Sequence, residues 1–430
     1  MRFFLVTRDY AGLGFAIRLQ DEGHDVILAV NPHPDQSSDL NRYAASELVG
    51  SGLVRKKLLK DCMAERADFR DACWVWDFNH AVEENMTLCE EGFSVLGGGQ
   101  HAHSMEHDRH ACLEFASTYG LESPASHAFS STDDAIVFCA EHPNTAFVYK
   151  PDHGANYETF LPESDDPAEA NFELRTHLKT IHSPGTFILQ ERKSGVEANV
   201  EVWFQRGEPV FAFMTLESKR RYTGDMGELA GCAFDFVFTI PLECRAVQES
   251  VGRLYPAYRK MRYSGFADAN FIAARDGIWF FEKCERFGYN AHPNLFWNLN
   301  LSSLGDVFSA LANGTLRPNF SGGFGASVTM STRDNPVGGK AIQFPSKLWK
   351  DIYFWDAYRD GDHVLTAGYD RDVLILTAYG YTIPTAWELL MRRAAEVRFP
   401  YRHYRIDGDR TDFPSSPVRR YEALRAMGYI

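Results

Sequence analysis

The chain has 430 residues, too many for one compact domain, because domains usually contain about 100–200 residues. Hydrophobic residues make up 45% and charged residues 24% of the sequence, which excludes a disordered, collagen-like or coiled-coil chain. The 44 basic and 58 acidic residues give a net charge of -14, so the overall field repels nucleic acid and we expect no nucleic-acid partner.

Three absences from the sequence bear on where the protein works. Residues 1–10 lack the charged, apolar and small-residue regions that form a signal peptide in series. No stretch approaches the ~18 consecutive apolar residues that span a bilayer. The eight cysteines include no Cys-x-x-Cys pair, which argues against both a disulfide framework and a zinc site. We therefore expect a reduced, cytoplasmic protein with no membrane partner, monomeric or homodimeric.

The first thirty residues predict a strand, a glycine turn, a helix and a second strand. The apolar run at 3–6 reads as a buried strand, Gly12 and Gly14 lie in the turn, and the run at 26–30 is the next strand. This order is typical of a doubly wound α/β domain. The turn places backbone N–H groups at a helix N-terminus, where an anion could bind. Alternatively, the glycines only let the chain turn tightly.

The same reasoning predicts the main elements of the remaining chain. In order, they are strands at 72–76 and 93–96, a helix at 108–119, strands at 147–151 and 187–191, a hairpin of 200–204 and 209–214, strands at 326–329 and 373–377, and a helix at 384–397. Lys150 and Glu191 lie at the ends of two of these strands. Residues 381–430 contain nine arginines and no lysine, so the end of this acidic chain is mildly basic.

A hairpin predicted around residues 276–277 carries a candidate metal site. The Asp-Gly pair lies between two apolar runs, a strong hairpin signal. If its glycine is the left-handed residue of a three-residue loop with a bulge, Asn270 faces Glu282 and Asp268 faces Cys284 on one side of the hairpin. Oxygen ligands from these side chains would suit Mg²⁺. A tight two-residue turn would shift the register and separate them, and a water-exposed polar face is the simpler alternative.

A second charged cluster spans residues 217–221 and is followed by glycines at 224 and 227. Its three adjacent cations, from Lys219 to Arg221, suit a phosphate or a carboxylate substrate. A charge run of this kind is also common on a solvated surface, so by itself it predicts no specific function.

Taken in chain order, these segments resemble ATP-grasp ligases, specifically the glycinamide ribonucleotide synthetases (phosphoribosylamine–glycine ligases). The matching segments are the opening strand and glycine turn; Glu106 to His110 with Pro124 and Phe129; Val148 to Lys150; Leu189 to Glu191 with Gly195 to Glu197; Ser218 to Asp225 with Ala230-Gly231; Phe281 to Gly288; and Asp372 to Ala378 with Tyr404 to Asp407. Each segment is short, but seven in the right order are specific together.

The resemblance implies an α/β and α+β multidomain fold. We expect a Rossmann-like domain that precedes the ATP-grasp core at 1–110, a lid subdomain at 111–190, a core subdomain at 191–325, and a small β-rich C-terminal domain at 326–430. It also implies an activity: ATP and Mg²⁺ serve as cofactors, and a glycine-like amino acid is joined to an amine through an acyl phosphate, with release of ADP and phosphate.

The resemblance further implies roles for particular residues. These are Arg109, Lys150, Gln190, Glu191 and Glu197 for ATP; Glu282, Asn270 and Asp268 for the metal; Lys219 and Arg286 for catalysis; and Gly12, Gly14, Arg220, Asp225, Arg286 and Gly288 for substrates.

Four segments depart from the family pattern. Cys284 replaces an asparagine of the metal motif, and a thiol is a soft ligand poorly matched to Mg²⁺. Residues 153–156 (His-Gly-Ala-Asn) replace a glycine-rich lid, residues 8–12 replace a substrate loop, and residues 369–372 replace a Gly-Gly-Arg segment. Two hypotheses remain: an active carboxylate–amine ligase with an altered amine acceptor, or a degenerate ATP-grasp scaffold that binds nucleotide or a metabolite without turnover.

Overall fold

The structure is a computed structural model that describes residues 1–32, 40–151, 159–182, 185–413 and 415–430. Its helices are α1 (Leu13–Asp21), α2 (Leu40–Leu48), α3 (Leu59–Ala64), α4 (Val82–Glu90), α5 (Gln100–His107), α6 (Arg109–Thr118), α7 (Thr132–Glu141), α8 (Pro167–Leu178), α9 (Arg245–Glu249), α10 (Tyr255–Met261), α11 (Ala291–Asn298), α12 (Leu304–Ala312), α13 (Ile383–Glu396) and α14 (Pro417–Ala426). Across these ranges, no helix is long and apolar enough to cross a bilayer.

The strands divide among four sheets. They are β1 (Arg2–Thr7), β2 (Asp25–Val30), β3 (Arg55–Leu58), β4 (Cys73–Trp76), β5 (Ser94–Leu96), β6 (Ser126–Phe129), β7 (Phe147–Pro151), β8 (Phe187–Glu191), β9 (Val196–Gln205), β10 (Glu208–Tyr222), β11 (Met226–Thr239), β12 (Gly265–Ala274), β13 (Gly277–Glu282), β14 (Phe324–Thr332), β15 (Ile352–Phe354), β16 (Ala357–Asp360), β17 (His363–Thr366), β18 (Asp372–Gly380) and β19 (Arg402–His403).

The N-terminal part is the predicted doubly wound domain. Its sheet is parallel with strand order β3-β2-β1-β4-β5. Strands β2 and β3 are therefore added on one side of β1, and strands β4 and β5 on its other side. Strands β1, β2 and β4 are buried along nearly their whole length because helices cover both faces of a parallel sheet. Helix α1 starts directly after the glycine turn, as the sequence predicts.

A small antiparallel sheet with strand order β6-β8-β7 forms the next layer. Helices α7 and α8 pack on it around a core that includes Phe147, Leu174 and Leu189. The strands β7 and β8 are antiparallel, with Phe147 opposite Glu191 and Lys150 opposite Ile188, so Lys150 and Glu191 lie towards opposite ends of this pair. The borders expected at 110 and 190 fall inside α6 and β8.

The large sheet runs in the order β13-β12-β9-β10-β11-β14-β18-β15, with β19 beside β14. Strand β14 pairs with β11, so one sheet continues across the border expected at 325. Strand β10 continues through the charged segment to Tyr222, although the sequence predicts a strand only to residue 214. Trp203 packs among aromatic rings at the centre of this sheet, including Phe213, Phe266 and Phe296.

Strands β12 and β13 form the predicted hairpin, but not with the three-residue loop. Ala274 pairs with Gly277 across a two-residue turn. The register then shifts between Asn270 and Phe271, as in a β-bulge, and Asn270 pairs with Glu282 after all. The facing pair is therefore produced by a bulge inside the strand and not by the turn.

Candidate functional site

A cleft of about 810 Å³ opens between the small sheet and the large sheet. One part of its lining is apolar, with Val148, Leu161, Val196, Ile272 and Phe281. The polar lining residues are Arg109, Lys150, Thr159, Gln190, Glu191, Arg192, Lys193, Glu197, Glu217, Ser218, Lys219, Arg220, Asp225, Glu282, Ser415, Arg419 and Arg420. A large cleft with an apolar region beside clustered charges suits a ligand that has both a planar base and a charged group.

Lys150 projects from β7 into this cleft and is almost fully buried. Its Nζ donates a hydrogen bond to Oε1 of Gln190 at 2.8 Å, and Nε2 of Gln190 donates to Ser126 Oγ at 3.1 Å. Burial lowers the pKa of Lys150 to about 8, although the charge of Glu282 opposes this effect. An anionic ligand in the cleft would therefore stabilise the charged form of this lysine.

The floor of the cleft is the side that carries Glu197 on β9, Glu217 and Lys219 on β10, and Glu282 on β13. Lys219 lies there between two carboxylates. The register of β9 and β10 pairs Thr215 with Asn199, so Glu217 and Glu197 come side by side two residues further on. The Nζ of Lys219 is 3.0 Å from Oε1 of Glu197 and 4.0 Å from Oε2 of Glu217. Burial alone would lower the pKa of Lys219, but the surrounding carboxylates raise it above its ordinary value. The surrounding carboxylates therefore favour the charged form of Lys219.

Glu282 is the free carboxylate of the cleft. Glu282 ends β13, and its carboxylate forms no hydrogen bond or ion pair with any residue that the structure describes. Burial raises the pKa of nearby Glu217; Lys219 lowers it, and the charges of Glu197 and Glu282 raise it further. Three carboxylates thus face Lys219 on this floor, an arrangement that favours an added cation.

No group of three or more His, Cys, Asp or Glu side chains in the described ranges is placed to hold a metal by itself. Mg²⁺ at phosphate sites commonly takes only one or two carboxylates, with phosphate oxygens and waters completing its shell. The free carboxylate of Glu282 fits that requirement, and Glu217 adds negative charge close by.

The other two predicted metal ligands lie outside the lining of the cleft. Asp268 Oδ2 accepts hydrogen bonds from Asn199 at 2.9 Å and from Asn270 at 3.0 Å, and Oδ1 accepts one from the backbone N–H of Cys284. Burial raises the pKa of Asp268 to about 7. Both oxygens of Asp268 are thus occupied by donors of the chain itself, and Asn270 uses its amide to bind Asp268.

Arg286 and Gly288 follow β13 but lie beside the N-terminal domain. Nε of Arg286 is 2.7 Å from Oε1 of Glu106, and its guanidinium carbon lies 4.3 Å from the ring centre of Tyr289. The N–H of Gly288 donates to Nδ1 of His292 at 2.7 Å. A carboxylate substrate would therefore compete with Glu106 for Arg286.

In the glycine turn after β1, the N–H of Gly12 is engaged within the protein. The N–H of Gly12 donates to Oδ2 of Asp77 at 2.6 Å, so a side chain of the protein occupies the expected anion position. A Cβ on Gly14 would lie 2.4 Å from the ring of Tyr353, so this glycine permits close packing between α1 and β15. A substrate role for either residue remains a prediction.

Arg220 and Asp225 line the cleft near the tip of the β10–β11 hairpin. Nη1 of Arg220 donates to the carbonyl oxygen of Gly227 at 2.8 Å. The carboxylate of Asp225 accepts hydrogen bonds from Arg405, at 3.1 Å, and from Ser415. Both charged groups thus have partners within the chain, which fix the hairpin tip at the cleft.

Arg109 and Arg420 bring unpartnered donors to the cleft. Nε and Nη1 of Arg109, and Nε of Arg420, are buried without a hydrogen-bond partner among the described residues. Arg420 is not among the predicted site residues, and Glu217 was predicted only as part of the charged cluster 217–221. The alternation of Glu217 with Lys219 along a strand was a usable signal for Glu217, whereas only the arginine-rich composition of the C-terminal fifty residues hints at Arg420.

Of the predicted site residues, the fold therefore gathers nine around one cleft. These are Arg109, Lys150, Gln190, Glu191, Glu197, Lys219, Arg220, Asp225 and Glu282. Residues 153–156, where the sequence departs from the glycine-rich lid, lie outside the described residues.

Comparison with known proteins identifies the fold. No protein-family model matches the sequence, and no curated protein sequence matches it either. Among solved structures, the phosphoribosylamine–glycine ligase of Thermotoga maritima superimposes with a TM-score of 0.68 at 14% identity, covering 95% of this chain and 100% of that one.

Two further structures superimpose over similar lengths. The biotin carboxylase domain of Hydrogenobacter thermophilus 2-oxoglutarate carboxylase, solved with MgADP and bicarbonate, gives a TM-score of 0.60 at 11% identity, over 94% of this chain and 91% of that one. The N5-carboxyaminoimidazole ribonucleotide synthetase of Thermotoga maritima gives 0.56 at 12% identity, over 93% and 99%. The chain has the three-part ATP-grasp fold, so the fold that the resemblance implied is confirmed.

Proposed function

We propose that this protein is an ATP-dependent carboxylate–amine ligase that joins a glycine-like amino acid to an amine. The observation that carries the proposal is the cleft floor, where the unpaired carboxylate of Glu282 lies close enough to Lys150 and Lys219 to influence the pKa of both. A carboxylate for a divalent cation beside two lysines for phosphate is the arrangement that phosphoryl transfer requires.

Each group has a proposed task in binding ATP. Lys150 and Lys219 hold phosphate oxygens, and Arg109 offers its unpartnered N–H groups to them. Gln190 and Glu191, at the end of β8, bind the adenosine together with the apolar part of the cleft, and Glu197 assists. Glu282 would hold Mg²⁺, which when bound offsets the phosphate charge.

The reaction would proceed in two transfers. A carboxylate oxygen of the amino acid attacks the γ-phosphorus, the bond to the β-phosphate oxygen breaks, and ADP leaves. The amine then attacks the acyl carbon, loses a proton, and displaces inorganic phosphate. The protein contributes position and charge to both steps, with Arg286 and Lys219 as the proposed catalytic residues. Arg286 would exchange Glu106 for the substrate carboxylate.

A second candidate is a scaffold that binds nucleotide without turnover. It is favoured by Arg286, whose partner is already Glu106, and by Cys284, which stands where the resembling ligases have an asparagine. Because neither Arg286 nor Cys284 belongs to the lining of the cleft, this candidate predicts retained Mg-ATP binding.

The test is ADP release with Mg-ATP across a panel of amino acids, with and without candidate amines. We expect turnover that depends on one amino acid, and its loss in Glu282→Gln, which keeps the shape of the side chain. Glu90→Gln removes a charge from an exposed position on α4 and is the matched control. Mg-ATP binding without turnover for any pair would support the scaffold, and absence of Mg-ATP binding would contradict both candidates.

We further propose that the protein works in the cytoplasm, as a monomer or homodimer, on small-molecule substrates. All eight cysteines are free thiols, as a reducing compartment would leave them.

A further inference from the structure

The end of the chain, residues 415–430, contacts the strands that carry the cleft floor. The hydroxyl of Ser415 donates to Asp225 at the tip of the β10–β11 hairpin. The hydroxyl of Tyr429 lies 2.8 Å from both the Ala274 and the Gly277 carbonyl oxygens, which border the turn between β12 and β13. Between these two contacts, α14 packs on β9 and β10. The floor is thus held from several sides by a segment remote in sequence.

Arg420 makes the central contact of this segment. It is only 6% exposed. Its Nη2 donates to the carbonyl oxygen of Glu217 at 2.7 Å, and its Nη1 lies 3.3 Å from that of Glu197. One planar guanidinium therefore joins two neighbouring strands at the two residues whose carboxylates flank Lys219. Arginine is suited to this task because its donors are fixed in one plane.

Packing alone does not account for a charged group at this position. A buried cation has a desolvation cost that an apolar side chain of similar volume avoids. That cost is evident here because burial lowers the pKa of Arg420, even though Glu197 and other acids oppose the effect. In addition, Arg420 lines the cleft, and its Nε is buried without a hydrogen-bond partner in the described ranges, so the packing leaves one of its donors unsatisfied.

We propose that Arg420 is a positioning residue for Mg-ATP: by holding the backbones of Glu197 and Glu217, it keeps Lys219 aligned with the phosphates. This inference rests on the proposed function, since it takes ATP as the ligand of the cleft. Because coupling between two events is reciprocal, docking of α14 strengthens nucleotide binding, and bound nucleotide stabilises the docked helix.

The test compares the dissociation constant of Mg-ATP among matched variants by calorimetry. Arg420→Met keeps the bulk of the side chain but loses both donors, and we expect the constant to rise roughly 10- to 100-fold. Arg420→Lys keeps a cation and donors but not their fixed plane, and we expect its constant to lie between those of the wild type and of the methionine variant. Arg425→Met removes the same charge from an exposed position on the same helix and is expected to leave the constant unchanged.

A second variant keeps the inference testable if Arg420→Met fails to fold. Tyr429→Phe removes only a hydroxyl, and we expect the constant for Mg-ATP to rise about 3-fold. Hydrogen exchange should also show that Mg-ATP protects residues 417–426 in the wild type. Wild-type affinity in both Arg420→Met and Tyr429→Phe would overturn the inference, as would a lysine variant as weak as the methionine variant, which would indicate packing alone. Absence of Mg-ATP binding by the wild type is a different result, because it refutes the proposed function itself.

Discussion

If the cleft binds Mg-ATP as proposed, Lys150 should make the affinity depend on pH, because burial lowers the pKa of its amine. Burial lowers the pKa of this lysine to about 8 in the free protein, against an ordinary value of 10.5. A bound triphosphate favours the charged form, so the pKa rises again in the complex. Binding therefore takes up a proton whenever the solution pH exceeds the pKa of the free lysine.

The size of the effect follows from the protonated fraction. At pH 7 about nine-tenths of Lys150 is charged in the free protein, whereas at pH 9 about one-tenth is charged, so the dissociation constant should rise roughly 10-fold between these values. Lys150→Arg stays charged throughout this range and should bind with little change in affinity. Lys150→Met loses a charge-assisted contact of about 1.5–3 kcal/mol, and at pH 7 its constant should rise roughly 10- to 150-fold.

Titration calorimetry at pH 7, 8 and 9 in two buffers of different ionisation enthalpy would measure both the affinity and the proton uptake. The reasoning would be refuted by a wild-type constant that is flat from pH 7 to 9. It would also be refuted by a Lys150→Met variant that binds as the wild type does, because Lys150 would then lie outside the nucleotide site.

Three further predictions concern the proposed metal site, the packing of α1 on β15, and the ion pair of Arg405, which also contacts Asp225 at the tip of the β10–β11 hairpin. Cys284→Asn restores an oxygen ligand, so ATP turnover should be equal or higher, measured as ADP release at limiting Mg²⁺. Gly14→Ala places a Cβ 2.4 Å from the Tyr353 ring, so we expect about 1–3 kcal/mol less free energy of unfolding, measured by urea denaturation. Asp407→Asn breaks a buried two-bond pair with Arg405, whose nitrogens lie 2.7 and 2.9 Å from the Asp407 oxygens, and should lower that free energy by about 3 kcal/mol.

Each of these predictions has a control or a contradicting result. Gly322→Ala adds a Cβ where no atom lies within 4 Å, so it should leave stability nearly unchanged. Equal stabilities of the Gly14 and Gly322 variants would disprove the packing argument. A Cys284→Asn variant with lower turnover would show that the thiol itself has a role, and a fully stable Asp407→Asn variant would show that Arg405 is held well enough by Asp225.

Elements whose signal is local were predictable from the sequence. The β1–α1–β2 unit was recognisable because apolar runs, a glycine turn and helical spacing all occur within thirty residues. The strands that end in Lys150 and Glu191 were recognisable for the same reason, and both residues line the cleft although the antiparallel pairing places them towards opposite ends of the two strands. Seven short segments in order were then enough to identify the fold.

The tertiary structure decided which polar groups are free and which are already engaged. The sequence placed Asp268, Asn270 and Glu282 together, but only the tertiary structure shows that Asp268 accepts hydrogen bonds from two strands and from the loop after β13. The side chain of Glu282 instead lines the cleft without a partner among the described residues. The hairpin register likewise depended on a bulge, because the neighbouring strand β9 fixes β12 on its other side.

Long-range contacts were beyond any local pattern. Arg420 reaches the backbone of Glu217 across 203 residues of sequence, and Arg286 pairs with Glu106 across 180. Periodicity encodes the face on which a side chain lies, and turns encode where a strand ends. The partner that meets a charge is set by how whole elements pack, because a buried ion must find its counter-charge wherever the fold brings one.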